Sequence, residues 1–170
     1  MKKAIDFYLK KELIVKDKTI AALSRRYLEK AKNNLVTMRI LSDLNSEKVK
    51  RLLKIPLDYD SNEWVVIAGY YAMYTSALAL LAKIGFRSKN HTATLLILDE
   101  YFVKKRLLDE KDLYLIQNAH FQKEEIEKLS DARHKREIAQ YSITKETTKD
   151  IAKKIISDAY DFVNRVEEIL

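Results

Sequence analysis

The sequence predicts an all-α protein, an up-and-down bundle of four main helices with short extra helices. Three observations predict it. The 170 residues include only two glycines and one proline, too few for the turns of a β-sandwich or a Rossmann-type sheet. Apolar residues recur at three- and four-residue steps in long one-sided stripes. One stretch, Trp64 to Gly85, is apolar on nearly every face and therefore belongs at the centre. The length fits a single domain, residues 1–170, with a core of its own.

The elements follow in order. A first helix is expected from Lys3 to about Val15, and a long one from about Thr19 to Leu44. The second carries Ala21, Leu23, Tyr27, Leu28, Ala31, Leu35, Met38 and Leu41 on one stripe. Asn45-Ser46 reads as a stop followed by an N-cap, and the short basic helix EKVKRLLK is ended by Pro56. Asp60, Ser61 or Asn62 caps the central helix, about 62–84, and Gly85 suits the residue after its end. FRSKNH (86–91) reads as a loop with Asn90 as an N-cap. Helices are then expected over about Thr92–Val103 and from about Lys111 to Arg136 or beyond. Ser142–Thr144 is expected to break the chain before a last helix, about 145–169, striped by Ile151, Ile155, Ala159, Phe162, Val166 and Ile169.

Composition excludes several classes of function. There is no cysteine, hence no disulfide framework, thiolate nucleophile or cysteine-based zinc site, which suits a reducing cytoplasm. The start has charges scattered among its apolar residues and is not a secretory leader. Residues 64–85 are nearly long enough to span a bilayer, but Gly, Ser, Thr and three tyrosines make them a core helix, so no membrane is expected. No HExxH, Walker or GxGxxG pattern occurs, and Glu137 lacks the histidine three residues on that a di-metal bundle uses. No metal and no cofactor are expected. The formal charge of +7 is uneven: residues 1–54 hold 15 Lys and Arg against 6 Asp and Glu, the remainder 17 against 19. The basic third fits nucleic acid, an acidic partner, or simply a lysine-rich surface.

One stretch concentrates chemistry: DARHKREIAQYS, residues 131–142. On a helix Arg133, Arg136 and Gln140 share a face, and Tyr141 follows near the helix end. Two guanidiniums on one face suit phosphate, because each offers a planar fork of donors. Tyr141 is placed to stack on a base or donate a hydrogen bond. The plainer alternative pairs both arginines with Asp131, Glu137 or a neighbouring helix.

Four stretches together resemble the HEPN domain, the "higher eukaryotes and prokaryotes nucleotide-binding" module. They are YLEKAKNNLVTMRIL (27–41), GYYAMYTSALALLAKIGFRSKNH (69–91), TATLLILDEYFVKKRLLD (92–109) and REIAQY (136–141). The last is similar to the Arg-x-x-Ala-Asp-Tyr signature of one prokaryotic branch. The likeness covers about residues 20–165 and leaves 1–18 as an N-terminal extension. The resemblance implies a four- or five-helix bundle that dimerises. It also implies, for many members, metal-independent ribonuclease activity from an Arg followed after four to six positions by a His. Some members are toxins neutralised by a partner nucleotidyltransferase; others only bind nucleotides or proteins.

This sequence departs from the ribonuclease motif. Counting from Arg133 the histidine position holds Ile138, Ala139 or Gln140; counting from Arg136 it holds Tyr141, Ser142 or Ile143. Metal-free cleavage needs a group that moves a proton near neutrality, and losing it costs about 10²–10⁴ in rate. Arg136 would still stabilise charge on a phosphate. His134 fills the polar position after an Arg, but an adjacent helical residue points about 100° away. Gln140 replaces the signature Asp. His91 ends the loop after the central helix, where the family often has His; it either contacts a ligand beside the arginines, or caps the next helix or bonds a backbone carbonyl. His120 has no supporting pattern. Tyr70, Tyr71 and Tyr74 read as core packing or a stacking platform, and Trp64 as an exposed anchor or a core lid.

Three functional readings follow. The first is a homodimer that binds RNA or a nucleotide through Arg133, Arg136, Gln140, Tyr141 and His91, as the toxin-type half of a pair with a nucleotidyltransferase. The second is a non-catalytic protein-interaction subunit. The third is a metal-independent endoribonuclease in which Arg133, Arg136 and His134 act with a non-standard base.

Overall fold

The computed structural model describes the backbone of residues 2–133 and 141–170, and the side chains of residues 3–128 and 148–170. Among the described residues seven α-helices carry the fold: α1 Lys2–Lys10, α2 Ser24–Asp43, α3 Glu47–Leu53, α4 Asn62–Lys83, α5 His91–Leu98, α6 Glu110–Arg133 and α7 Tyr141–Ile169. Two short strands, β1 Ile14–Lys16 and β2 Phe86–Ser88, form the one sheet among the described residues. The all-α expectation holds.

The central helix is α4. Val65, Val66, Ala72, Met73, Ala77, Leu80 and Leu81 are fully buried along it. It is covered within a single chain, chiefly by α2, α7 and α6. Its most apolar window is 78% buried in that bundle, as for the core helix of a globular protein. Its apolar surface therefore does not by itself require a second copy.

Small residues set the closest approach. At Gly69 an added Cβ would lie 3.1 Å from the Met38 sulfur of α2 and 3.1 Å from Ile155 Cγ1 of α7. Three helices thus meet at one hydrogen atom. Ser24 Oγ donates to Ala79 O (2.9 Å), and Ser61 Oγ to Leu41 O (2.5 Å), so α2 and α4 run antiparallel. Lys83 Nζ donates to the carbonyls of Ile169 and Leu170, which brings the C-terminal ends of α4 and α7 together.

Local chemistry moves several expected boundaries. Helix α1 stops at Lys10 rather than Val15, because Glu12 adopts a left-handed φ of 54° and the chain turns into β1. β1 pairs antiparallel with β2 in the register Ile14↔Ser88, Val15↔Arg87, Lys16↔Phe86, so part of the expected FRSKNH loop is a strand. Ile5 and Ile14 are buried in the common core, so the N-terminal extension is stitched into the bundle. Residues 18–23 form a 3₁₀ turn capped by Asp17, whose carboxylate accepts from Thr19 N (2.8 Å) and is held below its usual range by that backbone bond.

Gly85 takes a φ of +76°, and a Cβ there would meet Asp17 O at 3.1 Å, so its identity matters for the β1–β2 approach. Helix α3 ends at Lys54, left-handed at φ 55°, two residues before Pro56. The expected break at Ser142–Thr144 is absent: α7 begins at Tyr141 and runs through it. Helical continuation past that point keeps backbone hydrogen bonds that a Thr144 cap would only replace.

Candidate functional site

The arginine-bearing stretch overlaps in sequence the end of α6 and the start of α7, the two longest helices among the described residues. Arg133 is the last residue of α6 and Tyr141 the first of α7. The side chains of both, and all of His134, Arg136 and Gln140, lie outside the described residues. α7 is built to hold its end of the junction, since Ala152, Ile155, Ala159, Phe162 and Val166 are buried on one stripe. The start of α6 is fixed by a box in which Asp109 N donates to Asp112 Oδ2 (2.8 Å) and Asp112 N to Asp109 O (3.0 Å).

His91 sits elsewhere. Asn90, not His91, caps α5, its side chain accepting from Ala93 N at 2.8 Å. The His91 ring stacks on His120 of α6, centroids 4.0 Å apart and planes 16° apart. Tyr70 and Tyr74 of α4 lie 6.3 and 6.1 Å from it, stacked on each other at 5.6 Å. Lys123 Nζ lies over the Tyr70 and Tyr71 rings, and His120 Nε2 is 3.4 Å from Glu124 Oε1. His120 precedes Arg133 by thirteen residues, about 20 Å along a helix axis. Tyr70 is packed into the core, Tyr71 is exposed, and Trp64 is exposed at the start of α4.

This ring cluster was illegible in the sequence. His91 and His120 are 29 residues apart, and only the folding of α5 against α4 and α6 brings them together. Both His91 nitrogens and His120 Nδ1 are buried without a hydrogen-bond partner. Burial, with the neighbouring His120, pushes His91 down from 6.5 to about 4. Burial also pushes the Tyr70 phenol up, with Tyr74 and Tyr71 adding to it. Parallel imidazoles this close cannot chelate one metal ion, and among the described residues no group of three His, Asp or Glu could hold one.

The His91 shift carries a pH dependence. Above pH 6.5 the ring is neutral in folded and unfolded chains and stability is complete. As pH falls from 6.5 towards 4 the unfolded chain binds a proton that the folded chain refuses, so stability drops. The loss is expected to reach about 2 kcal/mol once solvent screening of the half-buried ring is allowed for. Denaturant midpoints for wild type and His91→Gln at pH 7 and pH 5 measure it; equal pH slopes for the two proteins would refute it.

The sequence profile of the HEPN domain matches residues 24–169. The chain belongs to the HEPN domain family. Helices α2 to α7 are thus its HEPN core, and α1 and β1 precede it. A relative in Archaeoglobus fulgidus, a "UPF0332 protein", is 31% identical over 122 residues, which cover 72% of this chain and 86% of that one.

Proposed function

We infer that this HEPN protein binds RNA or a nucleotide through Arg133 and Arg136, with Gln140 and Tyr141 beside them, and does not cleave RNA efficiently. The observation that carries the reading is the Arg133-x-x-Arg136 spacing in the sequence, without a histidine at positions 138 to 143. Guanidinium forks bind phosphate without a metal, while turnover needs a proton-transfer group that those positions lack. The basic N-terminal third adds a long-range pull on a polyanion. In this reading the protein is a cytoplasmic homodimer and the toxin-type half of a pair with a nucleotidyltransferase.

The test uses wild type and Arg133→Ala/Arg136→Ala with a mixed RNA pool in EDTA, reading binding by gel shift and products on a denaturing gel. Wild type should bind, the variant about tenfold or more weakly, and neither should cut. Equal binding by both refutes the reading. Cleavage by wild type alone would instead establish a metal-independent endoribonuclease with a non-standard base.

A second reading, a non-catalytic protein-interaction subunit, is favoured by a specific surface. Leu52, Leu53, Leu57 and Trp64, all within the α3–α4 connection and its flanks, are 78%, 55%, 54% and 58% exposed. Exposed large apolar side chains this dense mark protein contacts more often than RNA contacts.

A further inference from the structure

At the end of the bundle where α4 and α7 finish, a cavity of about 490 Å³ opens between α7 and the α5–α6 connection. That size falls within the range of small-molecule sites, roughly 300–1,000 Å³. Its rim is cationic, with Lys83, Lys105, Arg106 and Arg165 around the single carboxylate of Glu168. Its walls are apolar and aromatic: Ile84, Tyr101, Phe102, Leu107 and Ile169. Two of the cations are engaged, Lys83 with the carbonyls at the end of α7 and Arg165 with Glu168 at 3.1 Å. Among the described residues Lys105 and Arg106 form no ion pair, which leaves them to meet a ligand, with Lys105 Nζ held 5.6 Å from the Tyr101 ring centroid.

The backbone here is built irregularly. Beyond Leu98 the helix widens into a π turn over Asp99–Val103, closed by Lys104 N to Asp99 O at 3.0 Å. Such turns are frequent at functional sites, and this one carries both aromatic wall residues, Tyr101 and Phe102. Phe86 packs against Tyr101 at 5.2 Å and steadies it. Arg106 then takes a left-handed φ of 59°, with Arg106 N donating to Val103 O (2.8 Å) and Leu107 N to Phe102 O (2.9 Å). That helix-ending motif favours glycine, so an arginine there keeps its guanidinium at a backbone cost.

We propose that this cavity binds a small organic phosphate, its phosphate on Lys105 and Arg106 and its flat apolar body against Tyr101 and Leu107. The guanidinium fork and the ammonium match phosphate oxygens, and the aromatic wall matches a ring. This site is distinct from the Arg133–Arg136 pair and does not rest on the reading given for it.

Adenosine monophosphate, adenosine and inorganic phosphate are the probes, titrated by calorimetry into the full chain. The variants are Lys105→Ser/Arg106→Gly and Arg133→Ala/Arg136→Ala. Glycine suits the left-handed position, so the first variant should melt no lower than wild type. Adenosine monophosphate should bind more tightly than either fragment. In the Arg133→Ala/Arg136→Ala background, which removes the nucleotide contact assigned to that pair above, adenosine monophosphate should still bind, and its affinity should fall about tenfold or more when Lys105→Ser/Arg106→Gly is added. No binding at millimolar ligand in that background, or equal binding there with and without Lys105→Ser/Arg106→Gly, overturns the proposal. So does a loss confined to Arg133→Ala/Arg136→Ala. If an RNA oligomer loses affinity in the first variant while the mononucleotide never binds, the cavity is a strand contact and the proposal again fails.

Discussion

Gly69→Val is expected to lower the unfolding free energy by about 3 kcal/mol, the upper end for an overpacked core site. Even the first added carbon would sit 3.1 Å from both Met38 and Ile155. Valine's two further methyls must then displace α2 or α7, because both neighbours are themselves buried, Met38 at 0% and Ile155 at 1% exposure. Helix propensity works the other way by a few tenths of a kcal/mol, since valine is a better helix former than glycine. Gly69→Ala is the control. Its propensity gain of about 1 kcal/mol offsets small shifts of the flexible Met38 side chain and of Ile155, so it should be near neutral. Urea denaturation of the three proteins measures both effects. An unchanged midpoint for Gly69→Val would mean that the three helices do not meet at this residue.

Lys50→Met is expected to cost about 2–3 kcal/mol, in the range for hydrogen bonds from charged groups. Lys50 is the one lysine among the described residues that is buried, 8% exposed on α3. Its Nζ donates to Leu57 O at 2.9 Å and Tyr59 O at 2.6 Å, tying down the connection into α4. Next to it the Asn45 carbonyl oxygen accepts from Ser61 N (3.0 Å), while Asn45 Nδ2 donates to Asn62 Oδ1 (2.9 Å). Methionine keeps the stem's packing and leaves both carbonyls without their donor. The loss should be concentrated in residues 54–61, seen as faster proteolysis there together with a lower denaturation midpoint. Unaltered cleavage and stability would show that water serves those carbonyls equally well.

The helical elements were legible because each is long and periodic. α2 and α7 show one-sided stripes, α4 is apolar throughout, and the described α-helices begin within a few residues of their expected positions. The errors fall where the signal is local and short. Glu12 and Lys54 end helices in a conformation that glycine normally supplies, and a charged residue there gives no warning. Three-residue strands such as β1 and β2 exist only as a pair, so neither Ile14-Val-Lys nor Phe86-Arg-Ser announces itself. The arginine stretch could be proposed as a site from sequence because its residue types and spacing lie within one segment. The ring cluster and the cationic cavity were not, because each is assembled from segments far apart in sequence.

Periodicity and composition by themselves determined that this chain is a helical bundle with α4 at its centre, and four short stretches together placed it with HEPN domains. Those properties depend on residues near one another along the chain, where a 3.6-residue repeat is read directly. Tertiary structure alone decided that His91 spends its ring on His120, that Gly69 is the meeting point of three helices, and that Lys105 and Arg106 face an aromatic-walled cavity with Lys83 and Arg165. Such contacts depend on how helices pack across large sequence separations, and packing is set by complementary shape and charge rather than by local pattern.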